Sequence, residues 1–282
     1  MTEQQNVYQL LQKYELRAKK KFGQNFLVSE DILHAIVTQS NITKHTVVIE
    51  IGPGLGNLTK RLASVAKHVI AYEIDSDMIA ILKEELTPFL NVTLKHQDIL
   101  KANIKNDVER WVLEGYEIVV VANLPYYITS PIITALLAEK ETIKHITIMM
   151  QKEVGLRLAA KPKTKDYGFL SVMVQTYANI SKIIDVNRTC FYPSPNVDSV
   201  VLQLSLYQPP KYSINDESQF REFIQGIFAQ KRKTILNNLL NYSNKPKEEL
   251  IQIIEKCGLL TNTRAEELTI DQMIALSSLI HS

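Results

Sequence analysis

The stretch TVVIEIGPGLGNLTKRLA, Thr46 to Ala63, runs from an apolar β-type segment through three glycines into a helical pattern. The Val/Ile run suits a strand covered on both faces, since a half-exposed strand would alternate polar and apolar residues. Gly52, Gly54 and Gly56 let the backbone turn tightly and come close to another group without a Cβ in the way. The helix that follows presents unpaired amide groups at its N-terminus. The spacing is G-x-G-x-G, and Asn57 falls where the fingerprint G-x-G-x-x-G wants a further glycine. That fingerprint is not met, and taken alone the three glycines are weak evidence, since a tight structural turn also uses them.

Around this stretch the same rhythm repeats. HVIAYEID, NVTLKHQD, EIVVVANLP and HITIMMQ are short β-type runs, separated by helical patterns such as NLTKRLASVA and SDMIAILKEEL with apolar residues three and four apart. The alternation predicts βαβ units and a mostly parallel sheet with helices on both faces. Two later runs, near Ile180–Val186 and Ser199–Leu206, read as strands added at the end of that sheet. Pro209-Pro210 then interrupts the pattern, and the signals beyond Asp216 are helical. The expectation is an α/β domain over residues 1–207 and a small all-α domain over 208–282. Helix starts are expected at Asn215 or Asp216, at Ser243 or Asn244 before Pro246, and at Thr269.

Composition narrows the function classes. The 282 residues are 45% apolar and 22% charged, as in globular proteins, with a net charge of only +2. Any nucleic-acid surface must therefore be a local patch. The two cysteines, Cys190 and Cys257, are far apart and lack metal-ligand spacing, so no metal site is expected. The N-terminus lacks a signal-peptide pattern, and no apolar run approaches the roughly 20 residues that span a bilayer. A cytoplasmic protein without membrane contact is expected.

Polar residues gather at strand ends. Glu73 ends the second strand, where an acid can accept hydrogen bonds from ribose hydroxyls, and Asp98 follows the third. Ligands of open α/β sheets bind outside such ends, so an adenosine-type ligand is expected. Glu50, inside the first strand, needs a partner: loop amides or the amino end of a methionine-like ligand both qualify. The fourth strand ends in ANLPYYITSP. There the Asn123 side-chain oxygen and the Leu124 carbonyl are two acceptors for one NH2 group, Pro125 stiffens the turn, and Tyr126 offers a ring for stacking a base. An adenine amine meets both demands, and two acceptors on its N–H bonds would direct its lone pair at an electrophile. If that electrophile is a sulfonium methyl, the chemistry is methyl transfer by positioning and electrostatics. A turn with inward-packed tyrosines is the plainer alternative, and Tyr127 has no assigned role.

The ordered set QNFL, EIGPGLG, YEID, QDIL, NLPYYITSP and FYPSPNVDSVV resembles the ribosomal RNA adenine N6-dimethyltransferases, and within them the bacterial KsgA type. The resemblance runs from about residue 20 to about 240. It implies a Rossmann-like methyltransferase domain, S-adenosyl-L-methionine as methyl donor, and an N-terminal arm (residues 1–28) over the cofactor. It further implies that Asn25, Leu27, Gly52, Gly54, Glu73, Asp98 and Asn123 hold the cofactor. Asn123, Leu124, Tyr126 and Phe191 would act on the target adenine. The implied substrate is two adjacent adenosines in the 3′-terminal hairpin of small-subunit (16S) rRNA during late subunit biogenesis. The implied partner is the small ribosomal subunit, approached as a monomer.

Three basic clusters stand out: Arg17 with Lys19, Lys20 and Lys21; Lys161 with Lys163 and Lys165; and Lys231, Arg232 and Lys233. The last is expected inside a helix of the C-terminal domain and to contact rRNA. A charge cluster is often only a solvated face, but three in a chain of this net charge suggest one RNA-facing side. Competing readings are an Erm-type enzyme acting on large-subunit rRNA and a binding protein that checks subunit assembly. A nicotinamide dehydrogenase fails on the glycine spacing.

Overall fold

The structure, a computed structural model, describes residues 3–15, 24–125 and 128–282. In chain order it begins with α1 (Glu3–Lys13), β1 (Phe26–Leu27), α2 (Glu30–Gln39), β2 (Thr46–Ile51), α3 (Asn57–Val65) and β3 (His68–Glu73). Next come α4 (Ser76–Glu85), β4 (Val92–His96), α5 (Ile104–Leu113), β5 (Glu117–Asn123), α6 (Thr129–Ala138) and β6 (Ile143–Gln151). They are followed by α7 (Lys152–Leu158), α8 (Phe169–Tyr177), β7 (Ala178–Val186), β8 (Phe191–Tyr192) and β9 (Ser199–Leu206). The remaining helices are α9 (Glu217–Ile227), α10 (Ile235–Tyr242), α11 (Lys247–Lys256) and α12 (Ile270–His281).

The chain divides into two compact units, one of Met1–Gly155 with Asn179–Gln208 and one of Leu156–Ala178 with Pro209–Ser282. The segment Leu156–Ala178, within the α/β portion as read from the sequence, thus belongs with the helices. In the first unit seven strands form one sheet in the order β4-β3-β2-β5-β6-β9-β7. β2 lies parallel to β3 and β5, and β3–β4 and β5–β6 are parallel as well. β9 returns antiparallel to β6, and with β7 it forms the end of the sheet expected from the sequence. The α/β class is therefore as expected. β2 is buried along its whole length, which explains its unbroken apolar run. Leu33 and Ile36 of α2 and Leu62 of α3 pack with Val48, Val119 and Val121 of the sheet. Val7, Leu10 and Leu11 of α1 pack with Met78, Ile81 and Leu82 of α4.

In the second unit, α8 packs on α9, whose Phe220, Phe223 and Ile224 are buried. Asp216 caps α9 by accepting the Gln219 N–H at 2.9 Å. Thr269 caps α12, and Gln272 bonds back to it, as the sequence suggests. α11 differs: it starts behind Pro246, while Ser243 closes α10 and accepts the Lys245 N–H. Neither Ser243 nor Asn244 is its cap. Lys231, Arg232 and Lys233 are likewise displaced from expectation. They occupy an exposed turn between α9 and α10. The Lys233 N–H bonds to the Gln230 carbonyl, and Thr234 caps α10. A capping threonine requires a non-helical backbone at its own position, so the helix cannot extend back through the basic triplet.

Among the described residues no helix is long and apolar enough to cross a membrane, and no cluster of potential metal ligands is found.

Candidate active site

The strand order reverses between β2 and β5, which are neighbours although β3 and β4 come between them in the chain. A crevice opens at the carboxyl ends of such a pair because the connecting loops diverge to either side. The three-glycine loop forms one lip. Gly52, Gly54 and Gly56 have φ of 71°, 58° and 81°, a region that costs other L-residues energy. At Gly54 space is also short: an added Cβ would lie 3.3 Å from the Phe26 ring. Phe26 is held there by pairing of β1 with β8, Phe26 opposite Tyr192 and Leu27 opposite Phe191. That pairing joins QNFL to FYPSP, two motifs far apart in the chain.

Asn25, Leu27, Gly52, Gly54, Glu73, Asp98, Asn123, Leu124 and Phe191 all line this crevice. Tyr126 and Tyr127 lie outside the described residues, as do Arg17, Lys19, Lys20 and Lys21. Lys231, Arg232 and Lys233 lie in the second unit, where Lys231 Nζ donates to the Lys165 carbonyl. Two of the three basic clusters are thereby in contact.

The carboxylates are anchored to backbone. Glu73 Oε1 accepts the N–H groups of Ile74 and Asp75, both at 2.8 Å, and Oε2 accepts the Gly54 N–H at 3.3 Å. One side chain thus ties the glycine loop to the end of β3. Burial raises the Glu73 pKa, against the opposing pull of these backbone bonds. Asp98 Oδ1 accepts the Leu100 N–H at 3.0 Å, so its other oxygen keeps its acceptor capacity. On the opposite lip, Asn123 Nδ2 points at the Asn25 carbonyl, 3.5 Å away. That orientation leaves Oδ1 as the free end of the amide. The Leu124 N–H donates to the Met149 carbonyl at 3.2 Å, while the Leu124 carbonyl accepts no backbone bond among the described residues.

The match to known proteins is extensive. The family model "Ribosomal RNA adenine dimethylase" matches residues 15–282. The chain belongs to the ribosomal RNA adenine dimethylase family. A protein of Bacillus mycoides named ribosomal RNA small subunit methyltransferase A is 44% identical over 272 residues, 95% of this chain and 93% of the relative. Bacillus cereus proteins of that name match equally well. Among solved structures, a dimethyladenosine transferase from Plasmodium falciparum is similar with TM-score 0.76 and 27% identity, covering 89% of this chain and 95% of that one. The 23S rRNA methyltransferase ErmE is similar with TM-score 0.66 and 25% identity, covering 92% and 100%. The resemblance read from the motifs therefore holds, and the chain is an rRNA adenine dimethyltransferase with a Rossmann-like fold.

The dimethylase carries one feature that motif reading leaves open. Glu50 is fully buried in β2 yet lines the crevice. Burial pushes its carboxyl up to about 8; the nearby Thr59 hydroxyl opposes the shift and the Glu73 charge adds to it. Glu50 Oε2, Asn57 Oδ1 and Thr59 Oγ1 are buried without a well-formed hydrogen bond. Such atoms cost energy unless a partner arrives. Asn57 Oδ1 and an ionised Glu50 Oε2 are acceptors and the Thr59 hydroxyl can accept as well as donate, so a donor with several N–H groups fits this set. Asn57 was visible in the sequence only as the residue that spoils the dinucleotide fingerprint. The β1–β8 pairing had no local signal, because two-residue strands are too short for a period.

An acid whose folded pKa lies above its unfolded value binds extra protons in the folded state. Its stabilising contribution is complete below its ordinary value of 4.5 and is lost as pH rises to about 8. Glu50→Gln should remove this dependence. Urea denaturation of the ligand-free protein should show wild type losing a few kcal/mol relative to Glu50→Gln between about pH 5 and pH 8. Parallel curves would show that Glu50 is ionised in the fold.

Proposed function

We propose that this dimethylase uses S-adenosyl-L-methionine to dimethylate the N6 amines of two adjacent adenosines in the 3′-terminal hairpin loop of small-subunit rRNA, late in subunit biogenesis. The observation that carries this reading is the placing of two unsaturated acceptors, Asn123 Oδ1 and the Leu124 carbonyl, in one crevice with the glycine loop and the acids Glu50, Glu73 and Asp98. The 44% identity to proteins named for the small subunit supports the choice of RNA.

The donor set fits the cofactor. Asp98 offers a free carboxylate oxygen to an adenine amine, and Glu73 accepts from ribose hydroxyls. Glu50 and Asn57 supply the acceptors an ammonium requires, and the glycine-loop amides suit a carboxylate. When bound, S-adenosyl-L-methionine supplies an electrophilic methyl group. The chain's part is to bind, orient and keep water out. Asn25 and Leu27 close over the loop from β1. In the first transfer Asn123 Oδ1 and the Leu124 carbonyl accept both N–H bonds of the target amine, and in the second one of them accepts the single N–H that remains, which localises the lone pair on nitrogen. Phe191, buried in the crevice wall, and Tyr126 supply ring faces for the adenine. The amine nitrogen becomes a cationic ammonium on transfer and loses its proton to solvent without a strong base. Two acceptors aimed at that nitrogen stabilise the positive charge as it grows. The cluster of Lys231, Arg232, Lys233 and Lys165 contacts RNA phosphates.

Three outcomes are expected. Labelled S-adenosyl-L-methionine incubated with unmethylated small and large subunits should place label in small-subunit RNA. Label confined to large-subunit RNA would move the enzyme to the activity its likeness to ErmE allows. Asn123→Ala should slow single-turnover transfer at saturating cofactor on the order of 100-fold, with a much smaller loss of cofactor affinity read by calorimetry. Normal turnover in that variant would remove the amide from the mechanism. Replacing Lys231, Arg232 and Lys233 together by Ala should weaken rRNA binding and lower the slope of log affinity against log salt by roughly two. An unchanged slope would mean that the triplet does not touch RNA.

A further inference from the structure

A second polar cleft opens on the same edge of the sheet, wholly within the first unit. Gln151, Lys152, Asn187, Arg188, Asn196 and Val197 line it. Strand register places it: Asn123 pairs with Met149 of β6, and Gln151, further along β6, pairs with Ser199 of β9. The cleft thus begins one strand over from Asn123 and two residues further along, roughly 8 Å away. Its rim continues through Arg188 directly into Phe191 of the crevice already described.

The backbone of the cleft is tied down. Asp198 Oδ1 accepts the Arg188 N–H at 2.9 Å, and its carbonyl accepts the Lys152 N–H at 3.0 Å. Ser194 Oγ donates to the Arg188 carbonyl at 2.9 Å. Asn187 Oδ1 accepts the Thr189 N–H at 2.9 Å. These bonds lock three chain segments together, while the side chains that face solvent are left uncommitted. The Arg188 guanidinium and the amides of Gln151 and Asn196 have no partner among the described residues. Lys152, by contrast, is paired with Asp185 at 3.3 Å. Val197 is 44% exposed.

Glu153 and Asp198 also border the cleft, so it carries both signs of charge and is no trap for a bare anion. One free guanidinium, two free amides, two carboxylates and one exposed apolar side chain instead match a group with a phosphodiester, hydrogen-bonding edges and a flat face. A nucleotide has all three. We propose that the cleft binds the RNA nucleotide next to the target adenosine, with Arg188 on its phosphodiester and Gln151 and Asn196 on its base edge. This inference rests on the RNA-methylating reading of the first crevice. It makes the cleft a reader of the flanking base, since amide groups discriminate base edges while the guanidinium on phosphate does not.

The test is steady-state methylation of unmethylated small subunits by wild type, Arg188→Ala and Arg188→Lys, with S-adenosylhomocysteine affinity read by calorimetry. Arg188→Ala should raise the half-saturating RNA concentration about tenfold and lower the salt slope by roughly one. Arg188→Lys should recover most of both, and S-adenosylhomocysteine affinity should stay within about twofold in every variant. Gln151→Ala combined with Asn196→Ala should narrow the preference among RNAs that differ only at the non-target base flanking the adenosine pair. RNA affinity and salt slope unchanged in Arg188→Ala, with wild type fully active, would overturn the cleft and leave the function standing. If wild type methylates no rRNA, the function itself fails. Fluorescence anisotropy with a short adenosine-containing oligoribonucleotide then judges the cleft alone: equal binding by wild type and Arg188→Ala overturns it, and loss in the variant upholds it.

Discussion

The reversal of strand order between β2 and β5 is the constraint on which the rest of the site depends. Crossovers between parallel strands are right-handed, so connections leaving the centre of the sheet in opposite directions place their helices on opposite faces. Only at the reversal do the loops above the strand ends part and leave a crevice. The two lips start from neighbouring strand ends: Ile51 of β2 pairs with Ala122 of β5, so Gly52 and Asn123 leave the sheet side by side, and a Cβ added to Gly52 would lie 3.8 Å from the Asn123 carbonyl oxygen. A group held on the glycine loop is therefore within reach of one held by Asn123. For a reaction driven by placement, that proximity is the main requirement.

Placement has to be rigid, and the means are short backbone bonds made by acidic side chains. Glu73 joins β3 to the glycine loop, and Asp98 caps the turn after β4. Outside them α1 braces the helices behind the loop. Arg61 of α3 reaches Glu3 at 2.7 Å and Glu30 at 2.5 Å and also donates to the Asn57 carbonyl. Lys13 and the Tyr14 hydroxyl bond to Glu84 of α4. Exposed pairs of this kind add little stability individually. Together with Val7, Leu10 and Leu11 packed on α4 they fix how α3 and α4 lie under the loop.

Much of this was readable in the chain. The five β-type runs became β2 to β6: the buried strands β2, β3, β5 and β6 are strongly apolar because both their faces are covered, while β4, at the sheet edge, is half-exposed and alternates. Glycines before a helical pattern located the loop, and a polar residue closing each run located Glu73, Asp98 and Asn123. What escaped reading was non-local. The pairing of β1 with β8 rests on two residues from each partner, too few for any pattern. The triplet at Lys231 sits beside good helix formers and scans as helix, until Thr234 is recognised as a cap. The assignment of residues 156–178 to the helical unit follows from contacts such as α8 on α9, to which local propensity is blind.

On the proposed function, charge along the sheet edge matches the two ligands it would serve. Glu50, Glu73 and Asp98 belong to β2, β3 and the turn after β4, on the side of the reversal where a sulfonium and an ammonium would lie. Asn123 on β5 is neutral, and beyond it Lys152 and Arg188 are cationic. A carboxylate in place of Asn123 would accept the same hydrogen bonds from an amine. It would also repel the phosphates flanking the target and remain charged at the pH where RNA is bound. An amide gives the acceptor without the charge. On the proposed function, the neutral residue stands at the boundary where an acidic pocket for a cation gives way to a surface that must admit a polyanion, and a carboxylate there would serve one ligand at the expense of the other.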